Sequence, residues 1–181
     1  MSLPAIETER LILRQITPDD AEAVFEIRGD ERVTRYMSYC TYDSAELVRE
    51  SIENFGDDTF AIVRKSDGLL IGEGGVYDSN MGNDFSEIGY NFRYDCLGND
   101  YEAEAVRAMI KYAAENLDAK KFCFSHAEED TDSGSVIEKC GLKFDRYGTF
   151  SKIDGSTEFR SKIYVGFIEN MTYIKCESEE Q

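Results

Sequence analysis

The residues best placed to do chemistry lie in the stretch 87–105, EIGYNFRYDCLGNDYEAEA. Ile88, Tyr90 and Phe92 alternate with Glu87, Gly89 and Asn91, the period of a strand. The strand breaks at a turn carrying Gly98, Asn99 and Asp100, after which Ala105, Met109, Tyr112 and Ala113 repeat at helical spacing. A strand that stops at a glycine turn and feeds a helix leaves free backbone N–H groups at the helix start. Those donors, with the positive end of the helix dipole, suit a phosphate. Most such junctions bind nothing, so the surroundings must decide. His126, the only histidine, stands at a strand end on one face with Phe122 and Phe124, where it can bind an acceptor, relay a proton or simply pack. No His, Cys or carboxylate spacing suits a metal, and Cys96 and Cys140 read as packing residues.

The elements that must position this stretch belong to one domain of 181 residues, large enough to bury a real core. Five cysteines without a close pair, no membrane-length apolar run and no charged-then-apolar leader lead us to expect free thiols and a cytoplasmic protein. A net charge of −17 argues against nucleic acid and anionic membranes as partners and favours cationic ones, although the acidic tail 177–181 supplies part of it and acidity also serves solubility.

Residues 10–14 read as a first strand, and Thr17-Pro18-Asp19-Asp20 as a helix start ending near Gly29. A second helix is expected over 43–55 with Leu47, Val48, Ser51 and Ile52 inward. Between them, 36–42 is dense in aromatic and polar side chains, either a buried connector or the lining of an acceptor pocket. Strands at 59–64 and 69–78 form a hairpin, and the strand from Glu87 follows a polar turn at 79–84. A strand at 121–126, a short helix at 131–140 stopped by Gly141, and strands at 142–150 and 157–167 complete the chain. The order is mixed α/β, an antiparallel meander leading into a βαβ crossover.

With that order, the chain resembles the GNAT superfamily of acyl-CoA N-acyltransferases, and within it the branch of the ribosomal-protein alanine N-acetyltransferases. Three segments carry the resemblance, which runs from about Glu7 to Phe167. The opening ETERLILRQITPDDAEAVFEIRGDERVTRYM brackets a strand with arginines before a Thr-x-x-Asp-Ala helix start. Ile88-Gly89-Tyr90, Arg93, Gly98, Tyr101, Glu104 and Ala105 match a central branch pattern, and Ser133, Val136, Glu138, Lys139 and Gly141 a later one.

The resemblance implies a mostly antiparallel central sheet flanked by helices, whose strands at Glu87 and Lys121 splay apart. It implies acetyl-CoA as co-substrate, with its pantetheine arm pairing like an added strand beside Asn91, Phe92 and Arg93. The pyrophosphate would sit on Gly98, Asn99, Asp100, Tyr101, Glu102 and Ala103, with Asp130 and Ser133 close by. The turn departs from the family pattern: Asp100 replaces a glycine and Glu102 a small residue. Asp tolerates the left-handed backbone a glycine would use. At ~5 Å and an effective dielectric of about 20, each carboxylate facing the pyrophosphate costs about 3 kcal/mol before screening. Asp130 stands where the family usually has Asn, and Leu142 where it has Phe.

By the same resemblance the acceptor is a primary amine, a protein N-terminus or a small molecule, that attacks directly in a ternary complex. Glu87 is the first choice as general base and Glu73 the second, and the Phe92 N–H would stabilise the oxyanion. The family's leaving-group tyrosine is replaced by Ile137, so Ser133 could contact the sulfur, or simply cap its helix. The alternative is a non-catalytic module of the same fold with a degenerate pyrophosphate loop, acting in binding or dimerisation. A dinucleotide enzyme is disfavoured, since G-x-G-x-x-G after a first strand is absent. A monomer and a homodimer joined through the terminal strands are both compatible with the sequence.

Overall fold

The computed structural model describes residues 3–56, 58–79, 81–82 and 84–175. Cys176 and the acidic tail 177–181 lie outside the described residues, as do Asn80 and Asn83 of the polar turn.

Alternating apolar residues build β1 (Ile6–Glu7), β2 (Leu11–Gln15), β3 (Thr59–Arg64), β4 (Leu70–Asp78), β5 (Phe85–Phe92), β6 (Lys121–Ala127), β7 (Lys143–Ser151) and β8 (Glu158–Phe167). They form one eight-stranded sheet in the order β1-β2-β3-β4-β5-β6-β8-β7. Every neighbouring pair is antiparallel except β5 and β6, which are parallel. The crossover between those two is α4 (Tyr101–Asn116), as a parallel connection requires.

Helices cover both faces. On one face α4 and α5 (Thr131–Lys139) bury Val106, Met109, Ile110 and Ile137 completely against Phe60, Ile62, Phe122 and Phe124. Each such side chain contributes roughly 1.5–3 kcal/mol by leaving water. On the other face α1 (Ala21–Arg28) and α3 (Ala45–Phe55) close a second core of Val24, Ile27, Val48, Ile52 and Ala61. A short α2 (Glu31–Thr34) and a C-terminal turn α6 (Thr172–Lys175) complete the helices. The Asp30 carboxylate caps α2 by accepting the Arg32 N–H at 2.9 Å.

One expected core position moves. Leu47 is 46% exposed, because the buried stripe of α3 runs through Val48 and Ile52 and leaves Leu47 about a quarter-turn away. The strand expected from Glu87 begins two residues earlier, at Phe85. Among the described residues no helix is long and apolar enough to cross a membrane.

Candidate active site

The site grows from the only parallel pairing in the sheet. Phe85, Ser86 and Glu87 pair with Lys121, Phe122 and Cys123. Beyond Glu87 the ladder stops, although β5 runs on to Phe92 and β6 to Ala127. A wedge therefore opens between two central strands.

Strand alternation settles which groups face the wedge. The Arg93 N–H donates to Ile71 O at 2.8 Å, towards β4. Register with β4 is unbroken from Ser86 to Phe92, so Asn91 turns its backbone to β4 as well, and Tyr90 and Phe92 turn theirs to the gap. Of the three positions expected beside the pantetheine arm, Phe92 alone offers its N–H there. Asn91 reaches the cleft through its side chain instead, and the Arg93 guanidinium is engaged with Asp95 at 3.0 and 3.1 Å.

The wedge leads into a cleft of two lobes that share Tyr36, Met37, Tyr90, Asn91, Asp130 and Ser133. The first, about 510 Å³, runs past Phe92, Leu97 and Glu102 towards Val136. The second, about 420 Å³, is lined by Arg28, Tyr39, Tyr42, Glu73, Glu87 and His126 among others. Among the described residues, four buried side-chain polar atoms have no hydrogen-bond partner: Tyr39 Oη, Tyr90 Oη, Asn91 Oδ1 and His126 Nε2. All four belong to residues of this cleft. Each unmade bond costs about 1–3 kcal/mol, so their concentration in the residues around one cleft suits a polar ligand. A larger hollow of about 940 Å³ lies between the 4–10 segment and the far flank of α4, and none of the four faces it.

The connector 36–42 is both buried link and cleft wall. Lys152 fastens it by donating to the carbonyls of Thr34, Met37 and Tyr39 at 3.0, 3.2 and 3.2 Å. Below it, Arg28 donates to both oxygens of Glu73, at 2.6 and 2.7 Å, and to Ser51 Oγ at 3.0 Å. Burial would lower the Arg28 pKa, but the Glu73 carboxylate outweighs it and leaves it raised. Glu73 is 1% exposed and wholly engaged, which removes it as a free base. Glu87, half-buried on the same sheet face, has no such partner, and burial pushes its carboxyl above the usual range.

His126 packs beneath α5, stacked on Tyr164 with ring centroids 5.4 Å apart. Its Nδ1 lies 2.7 Å from Ala127 O, which can only accept, so that nitrogen carries a hydrogen. Ser133 donates Oγ–H to Asp130 Oδ2 at 2.8 Å and N–H to Oδ1 at 3.3 Å. Asp130 thus caps α5, and the Ser133 hydroxyl hydrogen is committed to it.

At the turn before α4, Gly98 and Asp100 take left-handed backbone angles, φ 77° and 59°. A Cβ on Gly98 would meet nothing within 4 Å, so the turn presents an open backbone. Asp100, the N-cap, makes no side-chain capping bond, and the Glu102 carboxyl instead draws the N–H groups of Gly98 and Glu102. Its carboxylate turns out to Lys139 at 2.6 Å, which lowers its pKa. Glu102 does the opposite. It is buried, lines the first lobe and has its pKa raised by burial, against the pull of its own N–H and that of Gly98. Asn99 ties the turn together by donating to Cys96 O and Leu97 O, while its carbonyl accepts from Arg10. The Tyr101 ring lies under the Arg10 guanidinium at 4.5 Å, so Tyr101 has only its backbone to offer, and Ala103 is buried in the core.

A wedge between parallel strands, open where a glycine turn enters a helix, is the architecture of an acyl-CoA transferase fold. The chain belongs to the GNAT acetyltransferases: the model described as an acetyltransferase (GNAT) domain matches residues 10–143. It is 26% identical over 167 residues to the uncharacterized N-acetyltransferase YnaD of Bacillus subtilis (strain 168), covering 91% of this chain and 96% of that one. The uncharacterized N-acetyltransferase YoaA of the same organism is 28% identical over 147 residues, 77% of this chain and 83% of that one. A GNAT-family acetyltransferase structure from Bacillus anthracis superposes with a TM-score of 0.81 at 25% identity, covering 92% of this chain and 99% of that one.

Proposed function

We infer that this protein transfers an acetyl group from acetyl-CoA to a primary amine by direct attack within a ternary complex. The observation that carries the reading is that four unpartnered buried polar atoms all belong to residues lining the cleft where β5 and β6 part. Acetyl-CoA would bring the activated thioester, its arm along the open edge of β5 and its pyrophosphate over residues 98–103.

The chain's own groups supply the rest. The Phe92 N–H faces the gap and can donate to the developing oxyanion. Glu87, with its pKa raised by burial, is suited to take the proton of the attacking ammonium. Four residues of strand rise separate it from Asn91, ~14 Å, so the proton would travel through water rather than directly. Ser133 lines both lobes, its hydroxyl held by Asp130, beside the place that the departing sulfur would take.

Calorimetric titration with CoA, followed by thiol release from acetyl-CoA in the presence of amines, tests the reading. Saturable binding and amine-dependent release are expected, whereas no heat and no thermal shift at millimolar CoA would reject it. Glu102, buried at the turn, favours one competing reading, a non-catalytic module that has lost its cofactor. Replacing Asp100 with Gly and Glu102 with Ala separates the two. A protein that binds CoA only after the change is a decayed enzyme.

A further inference from the structure

The second lobe has a polarity that narrows the acceptor, provided that the acyl-transfer reading holds. Asn91 donates its Nδ2 hydrogen to Glu73 Oε1 at 3.3 Å. A carboxylate held by Arg28 can only accept, so the amide orientation is fixed: nitrogen to Glu73, oxygen to the cleft. The Asn91 Oδ1 so placed is buried and without a donor. It has lone pairs alone and can be satisfied only by an N–H or O–H.

The charges around it point the same way. Arg28 is the only Lys or Arg lining this lobe, and both oxygens of Glu73 occupy it. Glu87 and Asp130 add carboxylates, and Tyr39, whose hydroxyl is also unpartnered, closes the wall. An anionic group entering beside Asn91 would meet acceptors and like charges with no free Lys or Arg among the described lining residues. An ammonium would meet an amide oxygen, a phenol and carboxylates.

We propose that Asn91 is a substrate-contacting residue whose carboxamide oxygen accepts an N–H of the acceptor, and that the acceptor is an alkyl primary amine with no carboxylate beside its reacting end. The Arg28–Glu73 pair acts behind it as a positioning unit, holding the amide in the one orientation that recognises a donor.

The test uses the full chain with saturating acetyl-CoA and two probes of the same carbon chain, 1,4-diaminobutane and ornithine, the second differing by a carboxylate. Product analysis should show kcat/KM at least tenfold higher for the diamine than for the α-amine of ornithine, the one beside the carboxylate. Asn91→Leu should raise KM for the diamine at least tenfold and leave the Kd for CoA within twofold. Should that variant fail to fold, the selectivity of the unsubstituted protein stands as the test. Equal acetylation at the α-amine of ornithine, an unchanged KM in a folded Asn91→Leu, or acetyl-CoA binding with neither amine consumed would each overturn the proposal. Failure of the unsubstituted protein to bind acetyl-CoA would instead overturn the acyl-transfer reading beneath it.

Discussion

Two glutamates of this cleft are half a strand and a turn apart, and burial acts on both in the same direction with opposite consequences. Glu87 works as a base only when ionised, and burial moves its ionisation above the ordinary value of 4.5. In rate profiles kcat/KM should therefore rise with pH through that displaced value. Glu87→Gln should remove this limb and lower kcat by about 10²–10⁴-fold, with CoA affinity unchanged. Glu102, facing the first lobe from the head of α4, is instead an obstacle to a diphosphate whenever it is ionised. Glu102→Gln keeps its size and removes its charge, so CoA should bind several-fold more tightly by calorimetry. An unchanged Kd would mean that this carboxyl does not face the phosphates. Asp100, turned out to Lys139 and largely exposed, should matter far less: Lys139→Ala is expected to leave the thermal midpoint and the Kd for CoA essentially unchanged.

Between elements, the ion pair from α1 to β4 holds the site's shape. Arg28→Met would leave Glu73 buried without its partner, and denaturant unfolding should show a loss of about 3–5 kcal/mol. A loss under 1 kcal/mol would show that the carboxylate finds water or another donor. What could be read from the chain follows the same division between local and assembled features. The strand from Glu87, its turn and the helix after it were legible because each is set by its own periodicity and its own turn residues. The left-handed backbone at Asp100 was legible only through the resemblance, which has a glycine there. The second lobe was legible only in its 36–42 wall, because Arg28, Glu73 and Asn91 come from separate elements that meet only through the sheet order. Glu73 looked like a free base until Arg28 was found on it, and Asn91 looked like a backbone contact until alternation turned its side chain inward. Lys152, which fastens 36–42 from the far end of the chain, gives no local signal at all.

At the scale of the whole molecule, acyl transfer as proposed would have a chain of net charge −17 receive an anionic co-substrate. Salt shortens the reach of that repulsion, to about 10 Å at 0.1 M. CoA affinity should therefore strengthen between 20 and 150 mM salt, the reverse of a nucleic-acid-binding protein, and weakening would show that local cations outweigh the overall field. All of these expectations depend on the wedge between β5 and β6 receiving the acyl-CoA arm. Amide hydrogen exchange at single-residue resolution tests that most directly. The Phe92 N–H, which faces the gap, should slow markedly at saturating CoA, while the Arg93 N–H, already bonded to Ile71 O, should not change. Protection unchanged at Phe92 in a protein that demonstrably binds CoA would contradict it.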